Sequence, residues 1–241
     1  MATFVLIHGA WHSSWCWEKV VSPLENLGHK VIAVDLPGST LDDKTPLEEI
    51  TLKSYTDHVV KIIEEQDEKV ILVGHSLGGV IMSQTAEYIS DKIKGLVYIT
   101  AFILRNGENM NLYKESDKES IASLEFIEEG KGALIQSDNV SEAFYQNCDS
   151  EVIKNVISRL VPQSTQVFTT PLEITEQNYG SIPRVFVKCA QDRALTVNTQ
   201  ERMIAAMPCQ KIYTINTDHS PFYSKPAETV EILNAVVKDF T

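Results

Sequence analysis

Ser76 stands in Gly74-His75-Ser76-Leu77-Gly78, a Gly-x-Ser-x-Gly pattern, and the chain offers six histidines and many carboxylates from which a base and an acid could be drawn. A serine hydroxyl is a weak nucleophile near neutral pH. It becomes effective when a histidine takes its proton and a carboxylate fixes the tautomer of that histidine. His219 is the candidate base, in Thr217-Asp218-His219-Ser220-Pro221. The other histidines fit lesser roles: His29 a solvated strand start, His58 a helix edge, His12 loop packing, His8 bracing of a loop. His75, next to Ser76, should point the other way. Asp192, in Ala190-Gln191-Asp192-Arg193, is the candidate acid. Asp218 competes, but sequence neighbours such as Asp218 and His219 rarely present their side chains to each other in the needed geometry. A third possible place for the acid, Ala101-Phe102-Ile103-Leu104-Arg105, carries no carboxylate.

These residues need elements to hold them. Val70-Ile71-Leu72-Val73 reads as a buried strand running straight into the serine motif, and Val80, Ile81, Thr85 and Tyr88 after it share a helix face. Strand, sharp turn and helix form the context of a nucleophile elbow. An ordinary strand–turn–helix link with a buried serine could carry the same five residues, so the flanking elements matter. Side chains at Gly74 and Gly78 would collide with the strand and helix crowding the bend. The N–H of Leu77, at a helix N-terminus, can meet a developing oxyanion. A second donor is expected in the loop after the first strand, His8-Gly9-Ala10-Trp11, with Gly9 turning the backbone so that the N–H of Ala10 faces the pocket.

Buried strands are predicted at about 3–8, 29–35, 69–75, 94–100, 183–190 and 209–215, with amphipathic helices between most of them. Trp17, Val20, Val21, Leu24 and Leu27 share one helix face, and Leu52, Tyr55, Val59 and Ile62 another. Val230, Leu233, Val236, Val237 and Phe240 close the chain. Apolar strands alternating with helices make a parallel sheet covered on both faces. Ligands then bind beyond the carboxyl ends of the strands, where Ser76, Asp192 and His219 all fall. Between about 104 and 181 the alternation breaks. This stretch reads as a helical cap inserted into a single domain, with helices near 116–129, 140–147 and 149–160. Its Leu112, Leu124, Phe126, Phe144, Leu160 and Phe168 could roof a pocket walled by Trp11 and Phe102, although most of them need only pack the cap onto the core.

With these residues in place the chain resembles the α/β-hydrolase superfamily, end to end. Within it, the chain is similar to the methylesterase and hydroxynitrile-lyase group. The residues that carry this are Val5-Leu6-Ile7-His8-Gly9-Ala10-Trp11, Trp15-Cys16-Trp17, Leu27-Gly28-His29-Lys30-Val31, Asp35-Leu36-Pro37, Lys69 to Ser76, Tyr179-Gly180-Ser181-Ile182, Gln191-Asp192 and Asp218-His219. The resemblance implies a six-stranded core, a helical cap, a Ser76–His219–Asp192 triad and an oxyanion hole from the N–H groups of Ala10 and Leu77. Homodimers are common in the group. Its cyanohydrin lyases carry threonine where this chain has Gly9, which blocks the oxyanion hole, and lysine where it has Ser220, which holds the departing cyanide. Gly9 and Ser220, both expected to border the substrate pocket, therefore point to the esterase branch. Plant esterases often have methionine after the histidine, and Ser220-Pro221 departs from that.

The expected activity is hydrolysis of a small, fairly apolar ester through an acyl-enzyme, without metal or cofactor. Lactone opening, thioester or amide cleavage and acyl transfer could run on the same triad. A small-molecule receptor of this fold would often have lost a triad member. The 241 residues, 43% hydrophobic, suffice for a full core, and the net charge of −12 argues against a nucleic-acid partner. No apolar stretch approaches a membrane span, and no basic cluster suggests a membrane surface. Cys16, Cys148, Cys189 and Cys209 are scattered and read as free thiols. A first strand beginning almost at Met1, without a basic and apolar leader, makes cytoplasmic residence the expectation.

Overall fold

The computed structural model describes residues 1–240. The chain runs through β1 (Thr3–Ile7), α1 (Glu18–Asn26), β2 (Lys30–Ala33), α2 (Leu52–Glu64), β3 (Val70–His75), α3 (Gly78–Tyr88) and β4 (Ile93–Ile99). The insertion follows: α4 (Met110–Ser116), β5 (Leu124–Ile127), β6 (Gly132–Ile135), α5 (Val140–Phe144), α6 (Ser150–Ile157), β7 (Gln163–Ser164) and α7 (Gln166–Thr169). The core resumes with β8 (Arg184–Cys189), α8 (Val197–Ala206), β9 (Lys211–Ile215), α9 (Pro221–Ser224) and α10 (Pro226–Asp239).

β2-β1-β3-β4-β8-β9 form one six-stranded sheet, and every neighbouring pair in it is parallel. The chain builds β1, steps outward to β2, then crosses back to lay β3 on the other side of β1. That reversal opens a crevice between β1 and β3 at their carboxyl ends. β3 is buried along its whole length. Burying each of Val70, Ile71, Leu72 and Val73 contributes roughly 1.5–3 kcal/mol, so the strand that presents Ser76 is firmly held. α3 is buried from Gly78 to Ala86, as a helix leaving a central strand must be. α2 begins at a reciprocal cap, where the Thr51 side chain accepts from the Ser54 N–H and the Ser54 side chain accepts from the Thr51 N–H. α10 starts with Pro226 in its first turn and buries Thr229, Val230, Leu233 and Val236. Among the described residues no helix is long and apolar enough to cross a membrane.

The insertion departs from the helical cap expected. It contains α4–α7 but also an antiparallel sheet, β5-β6-β7. The helix expected over 116–129 is absent: α4 ends at Ser116, and Leu124–Ile127 pairs with β6, Leu124 opposite Ile135 and Phe126 opposite Ala133. A short apolar run suits either a helix or a strand, and the pairing partner decides.

Candidate active site

Ser76 follows β3 directly and has a φ of +51°, a left-handed conformation that a residue with a side chain adopts only under constraint. The glycines around it are there for space. A Cβ on Gly74 would stand 2.6 Å from the Gly78 carbonyl oxygen. One on Gly78 would stand 2.6 Å from that of Ile7, and one on Gly79 2.5 Å from that of Phe102. α3 therefore starts in backbone contact with the end of β1 and with the loop after β4. The carbonyl of Ser76 accepts from the N–H groups of Gly79 (3.1 Å) and Phe102 (3.1 Å).

His219 and Asp192 follow the neighbouring strands β9 and β8, so all three loops open at one sheet edge. His219 Nδ1 donates to Asp192 Oδ2 at 2.6 Å, with both side chains buried. The other oxygen of Asp192, Oδ1, accepts from the N–H groups of Ala194 and Leu195, each at 2.8 Å. Oδ2 also accepts from the Thr100 hydroxyl. Thr100 directly follows β4, at the strand end that lacks a carboxylate; its hydroxyl instead holds Asp192, which follows β8. Asp218 faces elsewhere, accepting from the N–H groups of Ser220 (3.1 Å) and Asn147 (2.9 Å) and from the Ser224 hydroxyl (2.7 Å). Burial pushes its carboxyl above the usual range. His75 braces the loop of His219: its Nε2–H donates to the His219 carbonyl at 2.8 Å.

The loop after β1 is clamped from several sides. His8 Nδ1–H donates to the Gly9 carbonyl at 2.8 Å, and burial lowers its pKa to about 4. His12 Nδ1–H donates to the Ala10 carbonyl at 2.7 Å, which leaves Nε2 to accept from the Tyr145 hydroxyl. Burial lowers the His12 pKa to about 3, so at neutral pH this ring stays uncharged and keeps that bonding pattern. Trp11 has a φ of +67°, and its indole N–H donates to the Ala133 carbonyl on β6 at 2.8 Å. The cap thus pins the loop that carries Ala10. Nothing in the sequence pairs His12 with Tyr145 or Trp11 with Ala133, residues more than a hundred positions apart.

One cavity brings the expected residues together. Ser76, His219, Ala10, Leu77, Trp11, Phe102 and Phe144 all line it. The Phe144 ring stands edge-on to the His219 ring, with centroids 5.1 Å apart. Met110, Lys114, Ala122, Leu124 and Leu195 complete much of the wall; of these the sequence points only to Leu124. Counted together with its open mouth, the cavity amounts to about 460 Å³ of space not filled by protein atoms. Three expected pocket residues lie off its wall. Phe126 is 62% exposed; although it shares a strand face with Leu124, it lies further along β5, beside an adjoining surface groove. Ser220 is fully buried beneath the His219 loop. Gly9 lies below the wall: a Cβ there would meet His75 Nδ1 at 2.9 Å and the Ser76 Cβ at 3.0 Å.

A model of the alpha/beta hydrolase family matches residues 4–232. Methylesterase 7 of Arabidopsis thaliana is 33% identical over 246 residues, spanning 95% of this chain and 94% of that protein. Among solved structures, a methylesterase from Arabidopsis superposes with a TM-score of 0.87 at 25% identity, over 99% of each chain. A pyrethroid hydrolase from Sphingobium faniae does so with a TM-score of 0.87 at 26% identity, over 98% of this chain and 97% of that one. The order of strands around the serine elbow and these matches along nearly the whole length agree: the chain belongs to the alpha/beta hydrolase family, in its methylesterase-like branch.

Proposed function

We propose that this protein is a serine carboxylic-ester hydrolase that acts on small esters. The observation that carries the reading is the buried Asp192–His219 pair opening, with Ser76, onto one mostly apolar cavity. With its proton held on Nδ1 by Asp192, His219 presents a bare Nε2 toward the cavity. It takes the Ser76 proton as Oγ attacks the ester carbonyl. The N–H groups of Ala10 and Leu77 receive the negative charge on the carbonyl oxygen. His219 then gives the proton to the departing alcohol, leaving an acyl group on Ser76. Water, deprotonated by His219, attacks the acyl-enzyme and releases the acid. The relatives named methylesterase and pyrethroid hydrolase support ester cleavage on this scaffold.

A fluorophosphonate probe and a panel of methyl and p-nitrophenyl esters of increasing acyl length test this reading. Ser76 should be labelled, and turnover should fall as the acyl chain outgrows the cavity. A folded protein that neither takes the label nor turns over any ester would refute it.

Gly9 offers a second test. The contacts of its missing Cβ are with His75, fixed by its bond to the His219 backbone, and with Ser76 itself. Threonine at position 9 must push the nucleophile or the loop that carries Ala10. Gly9→Thr is expected to lower kcat for esters about 10²- to 10³-fold, the usual cost of losing an oxyanion donor. The thermal midpoint should drop as well, because neither neighbour can yield freely. Full turnover by this variant would show that the loop after β1 does not border the oxyanion.

A further inference from the structure

Lys114 is the one cation among the described residues that line the cavity. Its position on α4, one turn after Met110, brings both side chains to the same wall. Lys53, Lys188 and Lys211 each hold a carboxylate within 2.8 Å. The half-buried Lys114 has no such partner, and no hydrogen-bond acceptor for its ammonium is found among the described residues. Its contact is the Phe168 ring, whose centroid lies 5.8 Å from Nζ. Phe168 in turn packs edge-on against Trp11, a wall residue of the cavity, at 6.2 Å. Lys114 also borders the adjoining surface groove, with Asn111, Phe126 and Phe168, so its side chain borders both spaces. Burial draws its pKa below the ordinary lysine value, against a weaker raising pull from the neighbouring Glu115, which makes no ion pair with it.

A cation partly removed from water loses solvation that a partner must restore. An apolar wall with one unpaired ammonium matches a ligand with an apolar middle and one negative end. Resting on the esterase reading above, we propose that Lys114 forms an anion subsite and that the preferred substrates are esters that also carry a free carboxylate, such as half-esters of short dicarboxylic acids. The ester group would sit at Ser76 and the carboxylate at Lys114 Nζ.

The test compares kcat/KM for monomethyl esters of dicarboxylic acids with four to six carbons against uncharged methyl esters of matching length. Acetyl esters of hydroxy acids form a parallel arm that puts the carboxylate on the alcohol side. In wild type, the anionic ester should lead its neutral match by at least about tenfold in one arm, through KM more than kcat. Lys114→Met should cut that ratio by about 10- to 100-fold, the scale of one hydrogen bond to a charged group. Lys114→Arg should recover most of it, and added salt should shrink it. A wild-type preference for the neutral ester in both arms overturns the proposal, and so does a ratio that Lys114→Met leaves within twofold. If neutral esters turn over without such selectivity, the anion subsite alone fails. If no ester of either kind turns over, the esterase reading fails and the subsite proposal with it.

Discussion

Replacing Ser76 by alanine is expected to lower ester turnover by about 10⁴- to 10⁶-fold, leaving only what binding and the oxyanion donors supply. Fluorophosphonate labelling should vanish with it. The fold should survive, because the turn at residue 76 is held through its backbone. The Ser76 carbonyl accepts from Gly79 and Phe102, and the Ser76 N–H donates to the Ile99 carbonyl at 3.4 Å. Alanine keeps all of these. Its Cβ is no larger than that of serine, so the strain at φ +51° is not increased. The checks are kcat/KM on a p-nitrophenyl ester and the thermal midpoint. Activity within tenfold of wild type in a folded variant would remove Ser76 as nucleophile.

Asp192→Asn should cost about 10⁴-fold in kcat with little loss of structure. The reasoning rests on which way the amide must face. Oδ1 of Asp192 receives two N–H donors, from Ala194 and Leu195. An amide nitrogen cannot occupy that side, since donor would meet donor. The oxygen of the introduced amide therefore takes it, and the NH₂ faces Thr100 and His219 Nδ1. The Thr100 hydroxyl can turn to accept. His219 can accept on Nδ1 only by carrying its proton on Nε2, the atom that must receive the proton of Ser76. The imidazole stays in place in the wrong tautomer. A variant with near-wild-type kcat would show that Asp192 does not set that tautomer. Asp192→Ala, which also abandons the two N–H donors, should lose stability as well as activity.

Much of the site is legible from local pattern alone. The apolar run at 70–73, the glycines around Ser76 and the following helical face define the elbow, and each is a relation between residues a few positions apart. Asp192 and His219 could be placed because each follows a predicted strand, and parallel strands deliver their loops to one edge. The six core strands fall within one or two residues of their expected bounds, the inner ones as continuous apolar runs, but β2 and β9, expected to be buried, are the sheet edges and are largely exposed or half-buried. His75, next to Ser76, is fully buried. Its bond to the His219 backbone is a contact between residues 144 positions apart, and no pattern announces it.

The inserted segment is less readable. Its elements are short, and Leu124-Glu125-Phe126-Ile127 satisfies helix and strand patterns about equally. Pairing with β6 turns that segment into a strand and leaves Phe126 exposed beyond the cavity, while Phe144 lines the cavity as expected, edge-on to His219. The sequence by itself determined the strand, sharp turn and helix around Ser76, the places of Asp192 and His219 after their strands, and the parallel sheet that gathers them, because periodicity and turn chemistry are local. Only the tertiary structure decided that Thr100 holds Asp192, that Tyr145 and Ala133 clamp the loop bearing Ala10, and that Lys114 reaches the cavity wall. These are meetings of side chains and backbone groups far apart in the chain, created by packing the cap and the strand ends together, and local pattern carries no record of them.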